Sequence, residues 1–300
     1  MENYITKEEL DIRLNMSFED KVDLSCERIE KWYDYWKGQV YVAFSGGKDS
    51  TVLLNLVRSI FPEIKGVFID TGLEYPEIRD FVMETDNIIW IKPKMSFKEV
   101  IERYGYPVIS KEQSDYIYDY RNTKSEKLKN LRLNGNDKGN FKIQKKWIFL
   151  TEAPFKISDK CCDKLKKNPA HQYNKESGEK PMLGTRVEES RLRRTNYLKY
   201  GCNIYNSNNP QSAPLSFWRD EDIDKYIEKY NISYSKIYDM GYERTGCMFC
   251  MFGVQNEKEP NRFQKMEITH PKIHNYCINN LGLGDVMDYI GISYKNKEKK

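Results

Sequence analysis

The sequence predicts an α/β fold: a doubly wound parallel sheet with a glycine turn after its first strand, plus a helical, cysteine-bearing C-terminal part. Three observations carry this. Short apolar runs alternate with helical patterns, a Ser-Gly-Gly turn separates the first run from a helix, and residues beyond about 220 read as helices. Strands alternating with helices imply βαβ units. Residues 1–38 form an N-terminal helical segment, with Val22, Leu24, Ile29, Trp32 and Trp36 spaced among charges. A domain over residues 39–219 follows. In it, residues 40–44 are the first strand and residues 51–57 open the helix after the turn, while 66–70 and 88–91 are buried strands. A helix from Pro76 to about Asn87 begins where the missing proline N–H is harmless. Residues 96–104 make another, with Ser96 as cap and Glu99 three residues on.

Within that domain, a Lys-rich insertion at about 112–180 has turn signals at 134–136 and 138–140 and is expected to order partly on binding a partner. Residues 182–185 return to strand character. The last region, 220–300, holds a helix over 220–230, helices over 257–290 with a break near Pro271, and a frayed lysine tail over 295–300.

A chain of 300 residues can bury a substantial core. With 39% hydrophobic and 31% charged residues the composition is that of a soluble globular protein. No apolar run approaches a membrane span, and the polar, acidic start is unlike a signal peptide. A cytoplasmic location with no membrane partner is therefore expected. In that reducing compartment clustered cysteines read as metal or redox chemistry rather than as a disulfide framework. The net charge of +4 permits an anionic partner without demanding one. Tyrosine is frequent, and its rings suit base stacking as well as ordinary cores.

The turn Ser45-Gly46-Gly47-Lys48-Asp49-Ser50 has the chemistry of an anion site. Two glycines let successive N–H groups point inward, and the helix that follows aims its positive end at the same point. Ser45 and Ser50 add hydroxyls and Lys48 a charge, while Asp49 can hold Mg2+ or orient a reacting group. The Gly-Lys-Ser/Thr ending of a Walker A loop is missing at the required spacing. Arg186, Arg191, Arg193 and Arg194 follow a strand, offset only in part by Glu188 and Glu189. Guanidinium forks suit phosphate and sulfate oxygens, and a solvated, ion-paired helix face is the ordinary alternative. Beside the glycine turn, ligand contact is favoured for Arg186 and Arg191.

Cys161 and Cys162 are adjacent, and Cys247-Met248-Phe249-Cys250 is a Cys-x-x-Cys. A Cys-x-x-Cys turn converges two thiolates on one centre. A structural zinc, a redox dithiol at Cys247 and Cys250, and buried thiols without a ligand all remain open on the residues alone. Cys26, Cys202 and Cys277 read as inert core residues.

These segments carry a resemblance. Residues 45–50, the run Asp70-Thr71-Gly72-Leu73-Glu74-Tyr75-Pro76-Glu77, and Gly184-Thr185-Arg186 through Arg194 resemble the PP-loop ATP pyrophosphatases, the adenine nucleotide α-hydrolase-like superfamily. Within it the likeness is to the phosphoadenosine phosphosulfate reductase family, over about residues 38–250. The resemblance implies an adenine nucleotide such as ATP with Mg2+, bound by Ser45, Gly46, Gly47, Ser50, Asp70, Thr71, Gly72, Glu74 and Arg191. It also implies that Lys48, Asp49 and Arg186 are catalytic. The Cys-Cys plus distant Cys-x-x-Cys pattern resembles the 4Fe–4S site of assimilatory adenylyl-sulfate reductases, which implies a cluster held by Cys161, Cys162, Cys247 and Cys250. Sulfonucleotide reductases also carry a nucleophilic cysteine in a Glu-Cys-Gly-Leu-His context near the C-terminus, and this chain has none. The expectation is therefore an ATP pyrophosphatase that adenylates a substrate for sulfur transfer, with nucleic acid among the acceptors and a cysteine desulfurase as sulfur donor. The alternatives are a reductase of adenylyl sulfate or its 3′-phosphorylated form, and a nucleotide-sensing component without turnover.

Overall fold

The computed structural model describes residues 4–296. Its eight strands are β1 (Val40–Ala43), β2 (Gly66–Ile69), β3 (Ile88–Ile91), β4 (Val108–Ile109), β5 (Lys180–Leu183), β6 (Asn203–Ile204), β7 (Gln211–Ser212) and β8 (Met251–Phe252). Six of them form one sheet in the order β3-β2-β1-β5-β7-β6, parallel throughout except for the antiparallel edge strand β6. This is the α/β architecture the alternating pattern predicts. The chain divides into two compact units. The first comprises residues up to 70, 75–92 and 170–245; the second comprises 71–74, 93–169 and those from 246 on.

The first unit holds the six-stranded sheet. Its central strands β1 and β2 are short, β-branched and nearly all buried, as strands covered on both faces must be. The helix Lys48–Ile60 lies against β1 and buries Val52, Leu53, Leu56 and Val57 on one face. The N-terminal helices are Lys7–Leu14, with a Thr6–Glu9 capping box, and Phe18–Tyr35. The longer one buries Phe18, Ile29 and Trp32 and fastens to the segment before and within the helix Asp220–Lys229. There the Trp218 indole N–H donates to Ser25 Oγ at 2.9 Å, and Lys21 Nζ meets Asp222 Oδ2 at 2.6 Å. Gly184 lets the end of β5 touch the head of the Lys48–Ile60 helix. A Cβ there would lie 2.9 Å from the Asp49 carbonyl oxygen, closer than side-chain carbons come, and 3.1 Å from the Ser50 nitrogen.

The second unit is mainly helical, with β4 and β8 as a two-stranded parallel pair. The Ser96–Glu99 capping box read from the sequence is present at the start of the helix Phe97–Tyr104. The Lys-rich stretch is more regular than expected. It carries the helices Lys111–Asn122 and Glu126–Asn134, each capped by a serine, and the 3-10 segment Lys145–Glu152. Local caps and turns satisfy its backbone, which polarity alone does not reveal. After Pro271 the chain continues as Pro271–Asn275, a π-helical turn Tyr276–Asn280 and the helix Leu283–Ile290. The expected tail is corrected at its start: Asn296 donates to Glu267 and to the Gln264 carbonyl, pinning it to the helix Arg262–Thr269. Residues 297–300 lie outside the described residues. No helix among the described residues is long and apolar enough to cross a membrane.

The Lys21–Asp222 pair is only 3% and 14% exposed, so removing one partner strands the other. Lys21→Met should lower stability by about 3 kcal/mol in urea unfolding, and the double variant Lys21→Met/Asp222→Leu should recover much of it.

Candidate functional site

The first unit builds a glycine turn, the candidate anion cradle, at the carboxyl end of β1. Gly46 has φ +75°, a conformation that L side chains rarely adopt, and a Cβ there would meet Ile78 Cγ2 at 2.8 Å and Val82 Cγ2 at 2.9 Å. Gly47 then serves as N-cap of the helix Lys48–Ile60, with no side chain capping that end. The serines brace the turn. Ser50 Oγ accepts from the Ser45 N–H at 3.1 Å and donates to the Gly47 carbonyl at 2.8 Å, and the two hydroxyl oxygens are 3.0 Å apart. The Lys48 N–H donates to the Tyr238 hydroxyl at 2.9 Å, and that hydroxyl is 3.1 Å from Thr245 Oγ1. Tyr238 and Thr245 thus stand over Gly47, where a Cβ would come within 3.1 Å of both.

The charges of this cradle are paired in a chain. Arg186 follows β5 and is buried. Its Nε donates to Asp49 Oδ1 and its Nη2 to Asp220 Oδ1, each at 2.5 Å, while its Nη1 is buried with no hydrogen-bond partner. Burial works against the guanidinium charge, but Asp49 and Asp220 outweigh it and hold Arg186 more firmly protonated than usual. Burial likewise lifts the Asp49 carboxyl above its ordinary range; Arg186 opposes the lift, and the carboxylates of Glu189 and Asp220 add to it. Lys48 Nζ meets Asp224 Oδ1 at 2.8 Å and lies 5.2 Å from the centroids of both the Tyr234 and Tyr238 rings. Burial alone would lower its pKa, but Asp224 raises it.

The other predicted nucleotide residues divide. Asp70, at the end of β2, is buried and accepts from Arg79 at 2.9 Å. Arg191 is exposed on the first turn of the helix Arg191–Tyr200 and forms no ion pair among the described residues; the structure does not join it to Arg186. Arg193 pairs with Glu189 and Arg194 with Asp11, the ion-paired alternative for that run. Thr71, Gly72 and Glu74 belong to the second unit. Glu74 folds back on its own loop, accepting from the Thr71 hydroxyl at 2.8 Å and from the Thr71 N–H at 3.0 Å.

The second unit gathers the four cysteines. Cys161, Cys162, Cys247 and Cys250 are close enough to shift one another's ionisation, and all are free thiols. Cys161 donates to Cys162. This hydrogen bond, with help from Lys111 and Lys166, pulls Cys162 below the ordinary thiol range against its burial. The same bond and burial push Cys161 up. Burial pushes Cys250 up to about 11. A π-helical turn, Asp163–Lys167, follows the Cys-Cys pair and carries Lys166. Lys166 is exposed as a residue, yet its ammonium hydrogen-bonds Cys247 and feels Glu74 and Cys162. Burial of the ammonium lowers its pKa, and these partners together raise it above the ordinary range. Four thiols with cations beside them are a donor set that fits an iron–sulfur cluster. As placed, no three His, Cys, Asp or Glu side chains among the described residues form a ready metal-ligand group.

Sequence reasoning missed Tyr238, Thr245, Asp220, Asp224 and Lys166. Only Lys166 carried a local signal, one helical turn after Cys162. The others reach the cradle from segments far along the chain.

The sequence profile of the phosphoadenosine phosphosulfate reductase domain matches residues 39–252. The chain belongs to that family. It is 25% identical over 259 residues to an uncharacterized protein of Methanocaldococcus jannaschii, an alignment that covers 84% of this chain and 50% of that one. The chain thus spans about half the length of this curated relative. It is 22% identical over 255 residues to the adenosine 5′-phosphosulfate reductase of Bacillus cereus (strain AH820), covering 85% of this chain and 90% of the reductase. Among solved structures, a phosphoadenylyl-sulfate reductase from Candida auris aligns with a TM-score of 0.45 at 18% identity, covering 82% of this chain and 98% of that one.

Gly46→Ala should weaken nucleotide binding at least about tenfold by titration calorimetry, because the turn cannot keep its shape with a Cβ pressed on Ile78 and Val82. Asp49 has a raised folded pKa, so its contribution to stability is present at low pH and lost as pH rises through that value. The urea-unfolding stability of Asp49→Asn, relative to wild type, should therefore rise as pH increases above the ordinary carboxylate range of about 4.

Proposed function

We propose that this chain is an ATP pyrophosphatase-type enzyme that adenylates an acceptor and hands it on to a sulfur nucleophile. An acceptor oxygen attacks the α-phosphorus of ATP, the bond to pyrophosphate breaks, and a hydrosulfide-level sulfur then displaces AMP from the acceptor. One observation carries this reading: the buried guanidinium of Arg186 is tethered to Asp49 at the head of the glycine turn and keeps one amino group without a partner. An orphaned buried donor is costly unless a ligand satisfies it, and a phosphate oxygen is the natural acceptor.

The chain's own residues bind and orient. The Gly46–Gly47 turn and the uncapped helix end receive the phosphates. Arg186 would neutralise charge building on the reacting phosphate. Lys48 must leave Asp224 to reach the nucleotide, and the two tyrosine rings keep it poised nearby. Asp49 is the carboxylate that would hold Mg2+, which supplies charge neutralisation when bound. The four cysteines would hold a 4Fe–4S cluster, which supplies sulfur-handling or electrostatic chemistry when bound.

The second reading, reduction of adenylyl sulfate, is favoured by the likeness to the Bacillus cereus reductase over 90% of its length. It requires a mobile thiolate. Cys277, the one cysteine after the Cys-x-x-Cys, is 0% exposed, and burial pushes its thiol well above the ordinary range, the opposite of an activated nucleophile.

Anaerobically purified protein with radiolabelled ATP and Mg2+ should yield AMP and pyrophosphate, and Arg186→Ala should lower kcat/KM about 10²- to 10³-fold. Formation of ADP alone would sink the proposal. Thiol-dependent sulfite release from adenylyl sulfate, lost in Cys277→Ser, would establish the reductase instead.

A further inference from the structure

The positive charge of this chain is concentrated. Residues 124–146 contain eight Lys or Arg and two acids, an excess of six, whereas the whole chain nets only +4. The remainder is therefore net acidic. This stretch lies in the second unit and is not a loose coil. The helix Glu126–Asn134 packs on the helix Lys111–Asn122 and buries none of its own residues. The chain then turns at Asn136, whose side-chain oxygen accepts from the N–H groups of Lys138 and Asn140 at 3.1 and 2.8 Å. The return arm runs back along the helix. The Ile143 N–H donates to the Arg132 carbonyl at 2.7 Å, and the Gln144 N–H donates to Gln113 Oε1 at 2.8 Å. Ile143 and Leu150 anchor this arm in the core.

The result is a hydrogen-bonded hairpin with lysines on both arms. Lys124, Lys127, Lys138, Lys142, Lys145 and Lys146 are exposed, and none forms an ion pair among the described residues. Aromatic surface continues the return arm. Phe141 is 52% exposed and Phe149 42%, and the Lys146 ammonium sits 5.0 Å from the Trp147 ring centroid. Unpaired lysines strung along a hydrogen-bonded backbone match a polyanion whose charges also lie on a line, and half-exposed rings beside them match flat bases. A duplex would use the lysines but hide its bases from the rings. Unpaired bases persist mainly in the loops of folded RNA, where recognition by stacking is the common mode.

We propose that the hairpin from Lys124 to Phe149 docks unpaired nucleotides of a folded RNA, with the lysines on phosphates and Phe141 and Phe149 on bases. This gives the sulfur-transfer reading its acceptor class and rests on that reading only for its purpose. The binding itself is measured without ATP, so a failure here and a failure of ATP turnover are separate results.

The test is fluorescence anisotropy of the full chain with a labelled RNA hairpin bearing a large unpaired loop. A fully paired RNA duplex, a DNA hairpin of the same loop sequence and anionic phospholipid vesicles form parallel arms. The RNA hairpin should bind at least about tenfold tighter than the duplex, and its affinity should fall steeply with salt. Lys142→Ala/Lys145→Ala/Lys146→Ala should weaken binding and reduce the salt slope by about 2. Phe149→Ala should cost about tenfold with the slope unchanged. Exposed lysines elsewhere, as in Lys7→Ala/Lys31→Ala/Lys272→Ala, should leave the affinity as it was. Equal or tighter binding to the duplex or the DNA hairpin overturns the proposal. So does vesicle binding tighter than RNA binding, or RNA affinity indifferent to both the lysine and phenylalanine variants.

Discussion

The buried guanidinium of Arg186 joins three segments that meet nowhere else in the sequence. Its Nε holds Asp49 at the start of the helix after β1, and its Nη2 holds Asp220 at the start of another helix, both at 2.5 Å. Two helix heads and the end of β5 are thereby drawn to one point. Gly184, two residues earlier, allows the approach, since even a methyl group would strike the Asp49 carbonyl. A positive charge this deep is tolerable because two carboxylates face it, and the pairing leaves one amino group without a partner. Asp49, at the head of the glycine turn, is held in place by this pairing.

The second unit solves a related problem with sulfur. Four thiols crowded together would repel as thiolates, and burial raises most of them. Lys166 and Lys111 supply the compensating charge, and the hydrogen bond from Cys161 favours the thiolate of Cys162. The π-helical turn after the Cys-Cys pair adds a residue to the helical repeat, a departure from regular helix often found at functional sites. The carboxylate of Glu74 balances the same lysine, so this cluster too is a chain of alternating charges.

Several features were readable because they are local. The glycine turn between a buried run and a helix, the Ser96–Glu99 capping box and the Cys-x-x-Cys are each contained in a few residues, where periodicity and turn chemistry apply directly. The regularity of the Lys-rich stretch was not legible because it comes from caps and an Asn136 turn that hydrogen-bond over two to four residues, beneath a composition that looks like loop. The expectation of ligand contact for both Arg186 and Arg191 rests on guanidinium chemistry beside the glycine turn, and the structure sets the two apart. A capped helix starts between them and leaves Arg191 exposed to solvent.

Alternating strand and helix patterns, and the residue types of the turn and of the two cysteine pairs, determined the parallel α/β architecture, the place of the glycine turn between β1 and its helix, and the two cysteine pairs as candidate ligands. Hydrophobic period and glycine chemistry act over single elements, so one sequence suffices for them. Tertiary structure alone decided that Tyr238 and Thr245 stand over Gly47, that Asp224 holds Lys48, and that Arg186 bridges Asp49 to Asp220. These contacts span from 34 to 190 residues of chain, apart from the local Tyr238–Thr245 pair. Charge pairing at such separations has no period and no spacing. It is set by where the folded sheet and helices deliver each side chain.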